Sequence, residues 1–215
     1  MITYQSQSNH LKNKTFALSL LKGRIGESVV ETYLLASGYQ VYPYGYENNY
    51  ANITRFVRKD QSDATTTKIR SMPDLLVCDQ ANNERFLLQI KTTNTPDESS
   101  YLINKNDFES YVNYWPESLL VIYCIRTGKI YCRKIAEIKN TIEALFPNSS
   151  DKAFFINLSE FYDFTKYFNS ITPEQYFKLN REISNVLNCF SPILIRSKIK
   201  KINDAQTHMN LELSD

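Results

Sequence analysis

No run of about 18 apolar residues occurs in this chain of 215 residues, which argues against a transmembrane helix. The opening residues MITYQSQSNHLKNK are polar and hold no apolar stretch of the kind a secretory leader needs. Histidine is nearly missing. His10 and His208 both fall in predicted tails and are poor candidates for catalysis or metal binding. The four cysteines, Cys78, Cys124, Cys132 and Cys189, are far apart and form no CxxC pair. That argues against a zinc site and a disulfide framework, and fits a reducing interior. Glycine is scarce, and that points to no function. A dominant charge is lacking too: 25 basic against 23 acidic side chains leave +2. Nucleic-acid binding would therefore need a local basic face.

What is present fits a folded globule. The apolar fraction is 42%, and the length suits one domain with at most a small appendage. Together these features predict a soluble, cytoplasmic protein with no membrane partner.

Residues 1 to 13 read as a loose tail. From 15 to 37, Phe16, Leu18, Leu20, Leu21, Ile25, Val29, Val30, Tyr33 and Leu34 recur at three- and four-residue steps and predict a helix. Gly38 stands where a C-cap glycine belongs. YQVYPY predicts a short strand that Pro43 ends. Residues 45 to 72 mix Asn, Asp, Thr and basic side chains and read as an insert, with ITRFV and TTKIR as a polar hairpin. DLLVCD and ERFLLQIK are strands, and QANN between them is turn chemistry, so they form an antiparallel hairpin. NKNDFESYVNYW predicts a helix, with Asn106 and Glu109 spaced as a capping box. SLLVIYCIR has the continuous apolar character of a buried strand, and TGK turns the chain into an outer strand, IYCRKI. Two aromatic-rich helices are expected near 159 to 169 and 173 to 189, the second with Thr172, Pro173 and Gln175 at its start. The basic tail from Arg196 frays. The order predicts an α/β fold, a mixed sheet with helices packed on it.

The chemistry gathers on the hairpin. Side chains alternate along a strand, so Gln89 and Lys91 share one face while Leu88 and Ile90 take the other. Asp74 starts the partner strand, opposite their end. Asp74 offers an anionic oxygen to Mg²⁺, Gln89 a neutral amide oxygen, and the Ile90 backbone carbonyl lies between them. Lys91 could orient or deprotonate a metal-bound water, or stabilise charge on phosphate oxygens. In-line attack of water on a phosphodiester is the natural reaction for such a set.

Pro73-Asp74, fifteen residues ahead of Gln89-Ile90-Lys91, resembles the PD-(D/E)XK nuclease superfamily. The upstream segment KGRIGESVVETYLLASGYQVY is similar to the first helix of archaeal Holliday-junction resolvases and Mrr-type restriction endonucleases, with Gly26-Glu27 at the matching place. The Q-x-K form resembles the Mrr-type branch. The resemblance spans about residues 15 to 135. It implies a restriction-endonuclease-like core over 14–135, interrupted by the insert at 45–72. Residues 136–195 then form a C-terminal helical extension, and 1–13 and 196–215 are tails. It also implies that Glu27 joins Asp74, Gln89 and Ile90 in binding metal, with Mn²⁺ able to replace Mg²⁺. The expected activity is a DNA endonuclease of restriction, repair or mobile-element type, acting on duplex or branched DNA. The aromatic runs FFINLSEFYDF and EQYF read as core or an oligomer contact; many related nucleases are dimers, which would make residues 155–190 a self-association surface.

Each residue also has a plainer role. Lys91 alone would read as an edge-strand solubilising charge. Arg24 either contacts phosphate or pairs with a carboxylate one turn away. Arg55, Arg58, Lys68 and Arg70 in the insert are a phosphate-contacting loop or simply solvated charge, and Tyr50 and Phe56 could stack on unpaired bases. A non-catalytic nucleic-acid-binding or assembly module of the same fold is the alternative from a different class. An unrelated α/β protein with chance spacing is the third.

Overall fold

Helix α1 (Thr3–Ala36) begins well before the expected start at residue 15 and takes in what reads as a loose tail. No proline interrupts it and no glycine occurs before Gly23, so nothing in those residues breaks a helix. Its end is as expected. Gly38 adopts φ 87°, and the Tyr39 amide reaches back to the Leu34 carbonyl at 3.0 Å, closing a Schellman motif. Val29, Val30, Tyr33 and Leu34 bury its inner stripe.

The computed structural model describes residues 3–46, 63–94, 100–145, 153–168, 172, 174, 175, 178, 181, 182 and 185. It divides into two units, Met1–Thr172 and Pro173–Asp215. Of the second unit, residues 174, 175, 178, 181, 182 and 185 are helical and exposed, where a helix was expected. The segment ITRFV, with Arg55 and Phe56, lies outside the described residues, as do Arg58, Tyr50 and the basic tail from Arg196.

In the first unit, strand β1 (Gln40–Pro43) is followed by helix α2 (Ala64–Arg70). TTKIR is thus helical and not half of a hairpin. Asp63 caps the helix by accepting from the Thr66 amide at 2.9 Å, and that local bond outweighs the β preference of three threonines. Strands β2 (Leu75–Asp79) and β3 (Glu84–Thr93) form the expected antiparallel hairpin. Strand β4 (Ser100–Asn104) runs straight into helix α3 (Lys105–Tyr114). The cap there is Asn104, whose side chain accepts from the amides of Asn106 and Asp107, so Asn106 does not fill the expected capping-box role. Strands β5 (Leu119–Cys124) and β6 (Ile130–Lys134) follow as expected, and helix α4 (Ile135–Leu145) leaves β6 without a turn. Then come β7 (Ala153–Asn157), a 3₁₀ turn (Leu158–Glu160), β8 (Tyr162–Asp163) and a second 3₁₀ turn (Phe164–Lys166). Among the described residues, 159–168 form no α-helix.

The main sheet has the order β1-β2-β3-β5-β6-β8, and β4 pairs with β7 in a separate two-stranded ribbon. Among the described residues β3 and β5 pair in parallel, and the other pairs are antiparallel. A parallel pair needs a long crossover, and β4 with α3 supplies it. Every residue of β5 is buried, as its apolar run requires. One face of β5 (Leu120, Ile122, Cys124) packs with Phe108 and Tyr111 of α3, Ile135, Ile138 and Ile142 of α4, and Phe154 and Ile156 of β7.

Candidate active site

The register of β3 on β5 sets which way each candidate side chain points. Gln89, Lys91 and Thr93 pair with Leu120, Ile122 and Cys124, the residues that face α3 and α4. Leu88, Ile90 and Thr92 therefore face the other side, where α1 lies. Gly26 of α1 comes so close to Thr92 that a Cβ there would stand 2.1 Å from its Oγ1. The glycine ahead of Glu27 is thus required by close packing of helix on strand.

Asp74 is held from every side. Its amide donates to the Leu88 carbonyl at 2.8 Å, and its carbonyl accepts from Tyr44 and Gly45 at 2.9 and 3.2 Å. Its carboxylate oxygen Oδ2 accepts from Gln89 Nε2 at 2.7 Å and from the Ile90 amide at 2.6 Å. The expected convergence of Asp74 with the end of β3 is therefore present. A strand residue sends its N–H and C=O to the same side, so the Ile90 carbonyl also faces the Asp74 side of β3.

Lys91 sits beside this pair and under α3. Its Nζ lies 5.4 Å from the Tyr111 ring centroid. Burial works against the ammonium, but Tyr111 and Asp74 outweigh it and hold the lysine pKa above its ordinary value. Burial pushes up the pKa values of Tyr111 and Tyr101, so both stay neutral phenols at neutral pH. Strand β3 is internal, with β2 on one side and β5 on the other, so Lys91 is not an edge-strand charge.

The remaining candidates make contacts of their own. Glu27 accepts from Arg24 Nη1 at 2.8 Å, an i,i+3 pair on α1, and α1 covers the face of β3 opposite to Lys91. Lys68 is exposed on α2, with Nζ 5.8 Å from the Trp115 ring, and Arg70 is exposed in the last turn of α2. Trp115 Nε1 donates to Ser71 Oγ at 3.3 Å, which ties the end of α2 to the end of α3. Sequence reasoning missed Tyr101 and Tyr111. Phe108 and Tyr111 share the inner stripe of α3, which marks Tyr111 as buried but does not bring either tyrosine to β3.

The donors at this edge are all oxygens of the kind a hard cation accepts: the Asp74 carboxylate, the Ile90 carbonyl and the Gln89 amide oxygen. Gln89 now turns its NH₂ end to Asp74, and a half-turn of the amide would present Oε1 instead. Among the described residues, no group of three or more His, Cys, Asp and Glu side chains gathers as a metal site. A cation here would thus rely on one carboxylate, neutral oxygens and water.

No family model matches the chain, and no curated protein matches it. Among solved structures it is similar to a nuclease from a fusselovirus, with 16% identity and a TM-score of 0.42, over 78% of this chain and 96% of that one. It is also similar to a bacterial homing endonuclease, with 11% identity and a TM-score of 0.34, over 65% of this chain and 75% of that one.

Proposed function

We propose that the chain is a metal-dependent DNA endonuclease whose reacting centre is the β2–β3 edge at Asp74, Gln89, Ile90 and Lys91. The observation that supports this most is the clamp on Asp74 Oδ2 by Gln89 Nε2 and the Ile90 amide, with the Lys91 ammonium alongside. Asp74, the Ile90 carbonyl and a turned Gln89 would hold Mg²⁺, or Mn²⁺ in its place. The ion supplies a water activated for attack and positive charge at the phosphate. Lys91, protonated at neutral pH, is a donor and not a base. Its part is to hold a phosphate oxygen and offset the charge that grows there. Lys68 and Arg70, exposed on the helix that leads to Asp74, would contact the DNA backbone. Glu27, which accepts from Arg24 through Oε2, would take part through its other oxygen or by leaving Arg24.

A second reading has its own observation. Gln89 spends its donor end on Asp74, and one carboxylate is a weak cation site, so a nucleic-acid-binding module without catalysis fits as well. Incubating the protein with linear, supercoiled, single-stranded and four-way-junction DNA, with Mg²⁺ or Mn²⁺, separates the two. Cleavage of at least one substrate supports the nuclease. Retained binding with no cleavage supports the module.

A further inference from the structure

Beside Asp74 stands a pair of aromatic side chains that the chemistry proposed above does not use. Trp115, the one tryptophan of the chain, ends α3 one turn beyond Tyr111, whose ring lies against Lys91. Its amide donates to the Tyr111 carbonyl at 2.8 Å, and its Nε1 donates to Ser71 Oγ at 3.3 Å. Ser71 leads through Met72 and Pro73 straight into Asp74. Tyr44 arrives from the end of β1, and its amide donates to the Asp74 carbonyl at 2.9 Å. Its ring meets the indole nearly at a right angle, 87°, with centroids 6.1 Å apart. Two aromatic rings thus border the residue at the centre of the proposed site.

These rings are fixed but not closed in. Trp115 is tied by its amide and its indole N–H and braced by Tyr44, so little ordering is needed to use it. Both residues are only half-buried. Over the indole lies Lys68 Nζ, 5.8 Å from the ring centroid, near the outer limit of a cation–π contact. Lys68 is exposed, so a long, flexible and easily displaced side chain is what covers that face of the ring. Arg70, also exposed, follows on the same helix. Glu117, the acid nearest to Trp115 in the chain, is turned to Lys134 at 3.5 Å. An aromatic face edged by cations suits a nucleotide, with the base on the ring and the ammonium moved to the phosphate.

We infer that Trp115, braced by Tyr44, is a stacking platform for one unpaired base next to the phosphate to be cut. The substrate is then DNA with a single-stranded or splayed nucleotide at that point. In intact duplex each base is already covered on both faces, and the indole gains contact only with a base that has left the stack. This rests on the nuclease reading for the cut, but the stacking itself can be read without any reaction. An indole that merely ties α2 to α3 would need its N–H and its packed edge, and would respond to no base.

Because the chain has one tryptophan, its fluorescence reads the contact directly. The full chain is titrated, with divalent metal chelated so that nothing is cut, with a mixed-sequence single-stranded DNA and with a blunt duplex of the same length. Anisotropy of labelled DNA measures binding of each. A base stacked on an indole quenches it, so the bound single strand is expected to quench strongly and the bound duplex to leave the emission nearly unchanged. Trp115→Leu keeps an apolar body without an aromatic face. It should weaken single-strand binding about 10- to 100-fold, the scale of one stacked base, and duplex binding less than about twofold. Trp115→Tyr should restore most of the single-strand affinity, although it cannot remake the bond to Ser71. Bound single strand with unquenched emission overturns the inference. So does failure to bind either DNA, and so does an equal loss of single-strand and duplex binding in Trp115→Leu. Quenching by single strand with no DNA cut when Mg²⁺ is restored sinks the nuclease reading and leaves the platform standing. If Trp115→Leu does not fold, the wild-type titration still decides, because it needs no variant.

Discussion

The two faces of strand β3 are built by different means. Toward α1, Leu88, Ile90 and Thr92 meet a helix that comes close only because Gly26 has no side chain. The Thr92 hydroxyl fills that notch and is buried with no hydrogen-bond partner. Toward α3, Gln89 and Lys91 are polar; Gln89 donates to Asp74, and the Lys91 ammonium lies against the Tyr111 ring. One face is held by shape, the other by matched donors and acceptors. Most buried polar groups are paired, and on this face the pairing comes from a neighbouring strand end.

Substitutions should break the two faces in different ways. The largest stability effect is expected from Asp74→Ala. It strands the Gln89 amide and the Ile90 N–H and removes the counter-charge of Lys91, and should cost about 2–4 kcal/mol by chemical denaturation. Gln89→Glu comes next. It sets a second carboxylate against Asp74 where a donor had been, and should cost about 1–3 kcal/mol in metal-free buffer. Added Mg²⁺ should recover most of that loss, because two carboxylates hold the ion better than one. A thermal melt with and without Mg²⁺ checks both halves.

On the shape-built face, Gly26→Ala pushes a methyl into Thr92 Oγ1 and should cost about 1–3 kcal/mol. Thr92→Ala in the same chain should return much of it, since it removes the atom in the way. Cleavage by the folded fraction should change little, which is what separates this face from the other. The smallest effect belongs to the β2–β3 turn. Asp79 Oδ1 accepts from Ala81 and Asn82 amides, and Oδ2 from the Asn82 side chain. These bonds, the Asn82 side chain first, hold its pKa below the ordinary 3.8. A depressed carboxylate pKa gives stability that is complete above the unfolded value and is lost as pH falls through the folded one. Amide exchange at Ala81 and Asn82 should therefore stay slow at neutral pH and speed up, after correction for intrinsic rates, only below pH ~4.

The sequence made one of these faces readable and left most of the other out. The hairpin was legible because its alternation and QANN turn are local, and Asp74, Gln89 and Lys91 lie on it. The glycine next to Glu27 was visible too, though not its reason, since Thr92 gives no sign of needing a notch. Tyr101 and Tyr111 were hidden because they come from β4 and α3, and only the crossover folds them back onto β3. Helix α4 leaves β6 with no turn residue to mark it, although Ile135, Ile138 and Ile142 keep helical spacing. Strand β7 was not anticipated as a strand, for a specific reason. Phe154 and Ile156 are buried, but Phe155 between them is 66% exposed, and an exposed aromatic erases the alternation that marks a half-buried strand.

The most direct test is Lys91→Ala beside the wild type on supercoiled DNA with Mg²⁺, at equal concentrations of folded protein. Lys91 is the only site side chain whose proposed role is charge at the phosphate. The account predicts that the wild type nicks or linearises the DNA and that Lys91→Ala does so about 10²- to 10³-fold more slowly. Cleavage at an undiminished rate by Lys91→Ala would contradict it.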